Sequence, residues 1–428
     1  MISRDRVLCA LNHREPDRVP IDFGGHRSSG IAAIAYARLK KSLGISSGDI
    51  YVYDMVQQLA IVEPAVLDAV GADVVELGRG FMLNGDDWQD WALPNGIPCK
   101  IPSFLNVEKR GNDLYLLSND GVGLAVQKKG CLYFEQSHWP WLDRNPEEQD
   151  FSDLAEAFKH TMWTAVPTPG GHIPLTDEGC RELAEGARAL RASTDRAIIG
   201  LFGGNLFELP QFLYRMDNYL MYMGLYPEAC ERLSQALFDH YLPRMEKWLR
   251  TVGPYIDVMS FGDDLGGQNG PLMSPDMYRR YYKPWHTKLW KRAKELAPHV
   301  NIHLHSCGGI EPLLNDLIEA GLESSNPVQI TCRGMEPSHL KEQYGDRFTF
   351  WGGGCDTRHV LPHGAPADVR RNVRDLLSIW RPNGGYVFQQ VHNILADVPP
   401  DNIIAMLETA REQPGRSAAS GRRPEGRG

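Results

Sequence analysis

The sequence predicts an α/β chain folded as a (β/α)8 TIM barrel with an N-terminal helical extension and an inserted antiparallel β excursion. Three observations carry this. Eight short strand-like runs recur along the chain, and six of them alternate strictly with helical patterns. With 428 residues, 42% of them apolar, a large core can be buried, as one elaborated barrel or as two domains. No Gly-x-Gly-x-x-Gly opens a helix after the first strand, so an open dinucleotide-binding sheet lacks its main signature.

The chain opens on a charged amphipathic helix with Ser3 as its expected cap. Val19-Pro20-Ile21-Asp22-Phe23 reads as a first strand ended by Gly24-Gly25, and 72–77 as a second after a helical stretch broken near residues 50–54. Residues 98–137 change character. Their alternation at 114–117, 123–126 and 132–134, with Gly-Asn-Asp and Asn-Asp-Gly turns, predicts antiparallel strands: an insertion serving as a lid or as a contact in a homodimer. Trp139-Pro140-Trp141 reads as a hydrophobic lid or a partner patch.

From residue 150 the pattern is regular. Helix 176–193 leads to strand 197–202, helices 210–250 to strand 255–261, and a helix begun by Ser274-Pro275 to strand 300–305. Helices 311–320, 336–344 and 366–380 lead to strands 322–326, 348–351 and 385–388. Tyr278, Tyr281, Tyr282, Trp285 and Trp290 have helical spacing and read as packing. Residues 1–412 are expected to form one barrel domain, and the Gly-, Arg- and Ser-rich 413–428 a flexible tail.

A net charge of −9, without a basic stripe interleaved with aromatics, argues against nucleic acid as a partner. No run approaches the ~20 apolar residues of a membrane span. Eight single cysteines (9, 99, 131, 180, 230, 307, 332 and 355) form neither a disulfide framework nor a Cys-x-x-Cys clip, which fits a reducing cytoplasm.

In such a barrel the chemistry lies just past the C-terminal ends of the strands. Val300, Ile302 and Leu304 alternate with Asn301, His303 and His305, and Cys307 keeps the parity of the histidines past the strand end. An imidazole and a thiolate so spaced can reach one ion, and this nitrogen–sulfur mixture suits zinc; by itself the pattern also fits core histidines and a buried thiol. Cys355, after three glycines, and His392 stand at matching heights on nearby strands, so the expected metal set is His305, Cys307, Cys355 and His392. Asp263 and Asp264 are expected to be catalytic, by supplying a proton or orienting a ligand, with helix capping as the alternative. His26, Asn205, Gln268, Asn326 and Gln329 are the expected substrate-binding residues, and Glu208 follows the same strand as Asn205.

At these positions the sequence resembles the uroporphyrinogen decarboxylase superfamily and, within it, the zinc-dependent, corrinoid-linked methyltransferase branch. The likeness spans roughly residues 1–412. It rests on Arg-Glu-Pro-Asp-Arg-Val-Pro at 14–20, Gly71-Ala72-Asp73-Val74, Gly262-Asp263-Asp264-Leu265-Gly266 with Gln268, and His305-Ser306-Cys307-Gly308-Gly309. Asn326-Pro327-Val328-Gln329, Gly353-Gly354-Cys355-Asp356-Thr357, and His392 with Val398-Pro399-Pro400-Asp401-Asn402-Ile403 complete it.

The resemblance implies methyl transfer between a small methyl ether, alcohol or thiol and the cobalt of a separate corrinoid protein, with zinc activating the small substrate. Cobalamin would arrive on that partner, since Asp-x-His-x-x-Gly is absent from this chain. The branch binds zinc through His-x-Cys and a distant cysteine, a position that aligns with His392 while Cys355 lies earlier. The set therefore stands open between His-Cys-Cys, His-Cys-His and all four. Asp54 is similar in position to the decarboxylases' essential aspartate, so a metal-free decarboxylase is the alternative.

Overall fold

The computed structural model describes residues 1–412; the expected tail from 413 lies outside the described residues. Seven parallel strands form one curled sheet: Val74–Glu76, Ala197–Gly203, Val258–Gly262, Asn301–His305, Ser324–Asn326, Thr349–Trp351 and Tyr386–Val387, each paired with the next. The stretch 19–23 is the eighth stave. Ile21 forms a parallel bridge with Phe388, the Phe388 N–H donates to Pro20 O at 2.8 Å, and the Asp73 N–H donates to Ile21 O at 2.7 Å. It joins the last strand to the first and gives the sheet its TIM-barrel-like form. Only a bridge forms because Pro20 has no N–H to donate and the glycines at 24 and 25 end the run.

Two buried aspartates lock the lower rim. Asp73 accepts from Arg6 Nη1 and Arg18 Nη1, both at 2.6 Å, and from the Ile21 N–H at 2.8 Å. Asp257 accepts from Arg4 Nε at 2.7 Å, Arg191 Nη1 at 3.0 Å and the Ile198 N–H at 2.9 Å. These charge-assisted bonds satisfy carboxylates that would be costly to bury alone. The N-terminal helix Ser3–Leu11 plugs this end, with Val7 packed against Val74, Ala197, Ile199, Val258, Trp351 and Val387. Ser3 is its first residue and not its cap; Ile2 holds the cap position without a side-chain bond.

The insertion begins earlier than expected. A hairpin of Trp88–Ala92 and Pro98–Pro102 precedes a four-stranded antiparallel sheet of Asn106–Arg110, Asp113–Leu117, Gly123–Gln127 and Glu135–Gln136. Trp-Gln-Asp-Trp-Ala does not alternate apolar and polar residues, so only the Pro94-Asn95-Gly96 turn hinted at this hairpin. The last strand pairs at 135–136 and not at 132–134. Trp141 is fully buried against Phe151 and Tyr214, with the Tyr214 ring 5.3 Å away, so it is core and not lid or patch. The aromatic run from Tyr278 is likewise packing: Tyr278, Tyr281, Tyr282 and Trp290 are buried. Among the described residues no helix is long and apolar enough to cross a membrane.

Candidate metal centre

Strand register decides what meets at the mouth. Gly262 pairs with His305, and His305 with Asn326, so these three stand at one level on adjacent staves. At Gly262 a side chain would collide with Asn205, which fills that space instead. Past the strand, Gly308 turns the chain at φ 84°, where a Cβ would run into the backbone of Gly266. The turn leaves Cys307 facing back toward His305.

Among the described residues, His305, Cys307 and His392 form a group whose ligand atoms all lie within 4.8 Å of one another. His305 Nε2 is 3.6 Å from Cys307 Sγ. Two ligands at zinc distances of ~2.0–2.1 Å (N) and ~2.3 Å (S), set at the tetrahedral angle, would stand about 3.6 Å apart. Both imidazoles present the correct nitrogen. His305 Nδ1 is 2.8 Å from Asn326 Oδ1, and His392 Nδ1 is 2.8 Å from Asn393 Oδ1, so each Nδ1 donates and each Nε2 keeps a free lone pair. Without a cation the Cys307 thiol is pushed well above its ordinary pKa by burial, Asp264 and Glu208. A divalent ion would reverse that balance. The donor set is of the kind that holds zinc, which in catalytic sites takes three protein ligands and keeps a fourth position for water or substrate.

Cys355 is not in this group. It is buried in the main apolar core, where burial drives its thiol strongly up in pKa. Its carbonyl, and not its sulfur, serves the mouth by accepting the Val391 N–H at 3.0 Å.

The two adjacent aspartates part company. Asp263 is fully buried and accepts the N–H groups of Leu206 (3.0 Å), Phe207 (2.9 Å) and Glu208 (2.8 Å), with His286 Nε2 3.2 Å away. It satisfies the otherwise orphaned donors at the start of the helix Glu208–Tyr214, an arrangement that matches the helix-capping alternative. Asp264 stays at the site. Its Oδ1 accepts the Cys307 N–H at 2.8 Å and lies 3.6 Å from His305 Nε2.

The residues expected to bind substrate make these contacts within the protein. Asn326 orients His305. Gln329 accepts the Gly308 N–H through its side chain and so holds the turn after Cys307. Gln268 is exposed on the loop between the paired Gly266–Gly267 and Gly270–Pro271; its carbonyl accepts the Arg333 N–H at 3.1 Å and its Oε1 lies 3.7 Å from Cys332 Sγ. Asn205 does face the mouth, donating to Glu208 Oε2 at 2.5 Å. His26 is buried with its ring 4.8 Å from that of His305; burial first, then His305, lowers its pKa and keeps it neutral. Asp54 is buried, its Oδ1 accepting the Gln57 N–H at 2.9 Å and its Oδ2 lying 3.0 Å from Arg27 Nε.

Glu208 is the residue whose weight the sequence understated. Burial, with Asp264 and Asp263 nearby, raises its carboxyl well above the ordinary range. Its place three residues after Asn205, past a strand end, was the available signal.

A family model described as uroporphyrinogen decarboxylase (URO-D) matches residues 172–413, more than half of the 428. The segment holds His305, Cys307, His392, Asp264 and Glu208 but not His26 or Asp54, and is narrower than the resemblance read along 1–412. Among solved structures, a methyltransferase from Methanosarcina mazei superposes with a TM-score of 0.56 at 15% identity, covering 96% of this chain and 98% of that one. The likeness is one of fold. No curated protein sequence matches the chain.

Proposed function

The chain belongs to the uroporphyrinogen decarboxylase family, and from that premise we propose that it is a zinc-dependent methyltransferase. In this reading it moves a methyl group between a small methyl ether, alcohol or thiol and the cobalt of a separate corrinoid protein. The observation that carries the reading is the convergence of His305, Cys307 and His392 at the barrel mouth, with their ligand atoms all within 4.8 Å of one another.

Zinc, when bound, supplies Lewis acidity that either depresses the pKa of an acceptor thiol or draws charge from the oxygen of a methyl donor. The protein's own residues do the rest. His305 and His392 offer Nε2 because Asn326 and Asn393 hold their Nδ1 hydrogens. Asp264 pins the Cys307 backbone so that the sulfur stays on the same side as both rings. Glu208, bonded to Asn205, gives the site a polar edge where a departing oxygen would be met. The M. mazei methyltransferase of similar fold supports the class without identifying the substrate. A metal-free decarboxylase would need Asp54 to act on substrate, yet both its oxygens already face Gln57 and Arg27.

The test joins metal analysis to the cobalt spectrum. One zinc per chain is expected, together with conversion of methylcobalamin by a thiol, or of cob(I)alamin by a methyl ether. Both should be lost in Cys307→Ala, and on chelation the activity should return when zinc is restored. Full activity in Cys307→Ala or in chelated protein overturns the proposal.

A further inference from the structure

His392 stands at the end of a chain of hydrogen bonds that runs away from the metal centre. Its Nδ1 is 2.8 Å from Asn393 Oδ1; Asn393 Nδ2 donates to Gln57 Oε1 at 2.9 Å; Gln57 Nε2 donates to Asp54 Oδ2 at 3.2 Å. Asp54 and Asn393 are buried. Asp54 also fixes the turn that carries Gln57, because its other oxygen takes the Gln57 backbone N–H at 2.9 Å. Arg27 Nε, 3.0 Å from Asp54 Oδ2, ends the chain with a positive charge.

Every link in this chain has a compelled direction. A carboxylate beside an arginine can only accept, so the Gln57 amide must turn its NH2 toward Asp54 and its carbonyl toward Asn393. Asn393 then meets that carbonyl with its own NH2, which leaves its carbonyl for His392. An oxygen that only accepts requires Nδ1 of His392 to donate. The proton is therefore on Nδ1, and Nε2 is bare on the side of Cys307 and His305.

We infer that Asp54, Gln57 and Asn393 are positioning residues that fix His392 in its metal-binding tautomer, Asp54 acting as the polarity source and not as a group that touches substrate. The inference rests on reading His392 as a ligand. His305 is set separately, through Asn326, whose Nδ2 lies 3.4 Å from Gln389 Oε1, and Gln389 in turn donates to Ser28 Oγ at 3.0 Å. Two of the three relay residues, Asp54 and Gln57, lie before the segment that matches the family model. A cysteine in place of His392 would have no tautomer to set, and that difference makes the relay testable.

The experiment is a double-mutant cycle on Zn2+ affinity, measured by competition with a chromophoric chelator. Gln57→Leu should weaken zinc binding about 10- to 100-fold in the His392 protein, as removing a ligand's outer partner does elsewhere. It should change affinity by less than about twofold in a His392→Cys background. Equal losses in the two backgrounds would mean a merely structural role and overturn the inference, as would no loss beside His392. Ring-nitrogen NMR of the zinc-free protein gives a second readout that needs no cysteine variant. His392 should show the Nδ1–H form in the parent and a mixture in Gln57→Leu or Asn393→Ala; an unchanged single tautomer refutes the relay. If His392→Ala binds zinc as tightly as the parent, the ligand reading itself falls, a failure distinct from that of the relay.

Discussion

Replacing Asp263 with asparagine separates an anchor from a catalytic acid. The carboxylate gathers four donors: Oδ1 takes the N–H groups of Phe207 and Glu208 at 2.9 and 2.8 Å, and Oδ2 takes Leu206 N–H at 3.0 Å with His286 Nε2 at 3.2 Å. Asparagine keeps one accepting oxygen and turns an NH2 toward the other pair of donors. The Leu206 N–H is then buried without a partner, at about 2 kcal/mol. The helix Glu208–Tyr214 also loses the negative charge facing its first turn, at about 1 kcal/mol. For a chain of 428 residues, with an unfolding entropy of ~2.1 cal/mol/K per residue, the resulting ~3 kcal/mol lowers the thermal midpoint by about 3 °C. Zinc content should stay at the parent's value, and so should methyl transfer measured well below the new midpoint. Calorimetry, metal analysis and the cobalt spectrum report the three quantities. An unchanged midpoint with zinc retained and activity lost would refute the argument and return Asp263 to the chemistry.

Cys355→Ala should keep the parent's zinc stoichiometry and lose about 1 kcal/mol of stability, because its sulfur fills core space. Zinc falling to the level of Cys307→Ala would place Cys355 among the ligands after all. Asp22 sets a pH dependence. Burial raises its pKa to about 6, against the lowering pull of Trp351, Gly25 and Ser29. The folded protein thus holds this proton more tightly than the unfolded chain does, so its contribution is fully present below ~4 and lost as pH rises toward 6. Asp22→Asn should therefore gain about 2 kcal/mol relative to the parent between pH 4 and pH 7 in denaturant titrations. An unchanged difference across that range would show that Asp22 is ionised throughout.

The staves were legible because burial on a pleated strand writes itself locally, every second residue. Val300, Ile302 and Leu304 declare the strand, and the parity of His305 and Cys307 follows from it. The helix Pro366–Trp380 begins and ends where its apolar spacing places it. The early hairpin at Trp88–Ala92 was missed because its residues do not alternate, although the Pro94-Asn95-Gly96 turn was there to be read.

Choosing among strand-end residues was a different matter, because the deciding partners are far away in the chain. Asp263 and Asp264 are neighbours, yet one meets backbone donors that arise 55 to 57 residues earlier while the other meets Cys307. Cys355 and His392 looked equivalent as third ligands until packing sent one sulfur into the apolar core and brought one imidazole within reach of Cys307. The barrel staves, the polar mouth and the His-x-Cys pair can all be read from local alternation and spacing. Which of Cys355 and His392 comes within reach of that pair, and which carboxylate stays at the mouth, depend on the folded chain, because the deciding partners and the burial come from other staves, 43 to 57 positions away for the two aspartates.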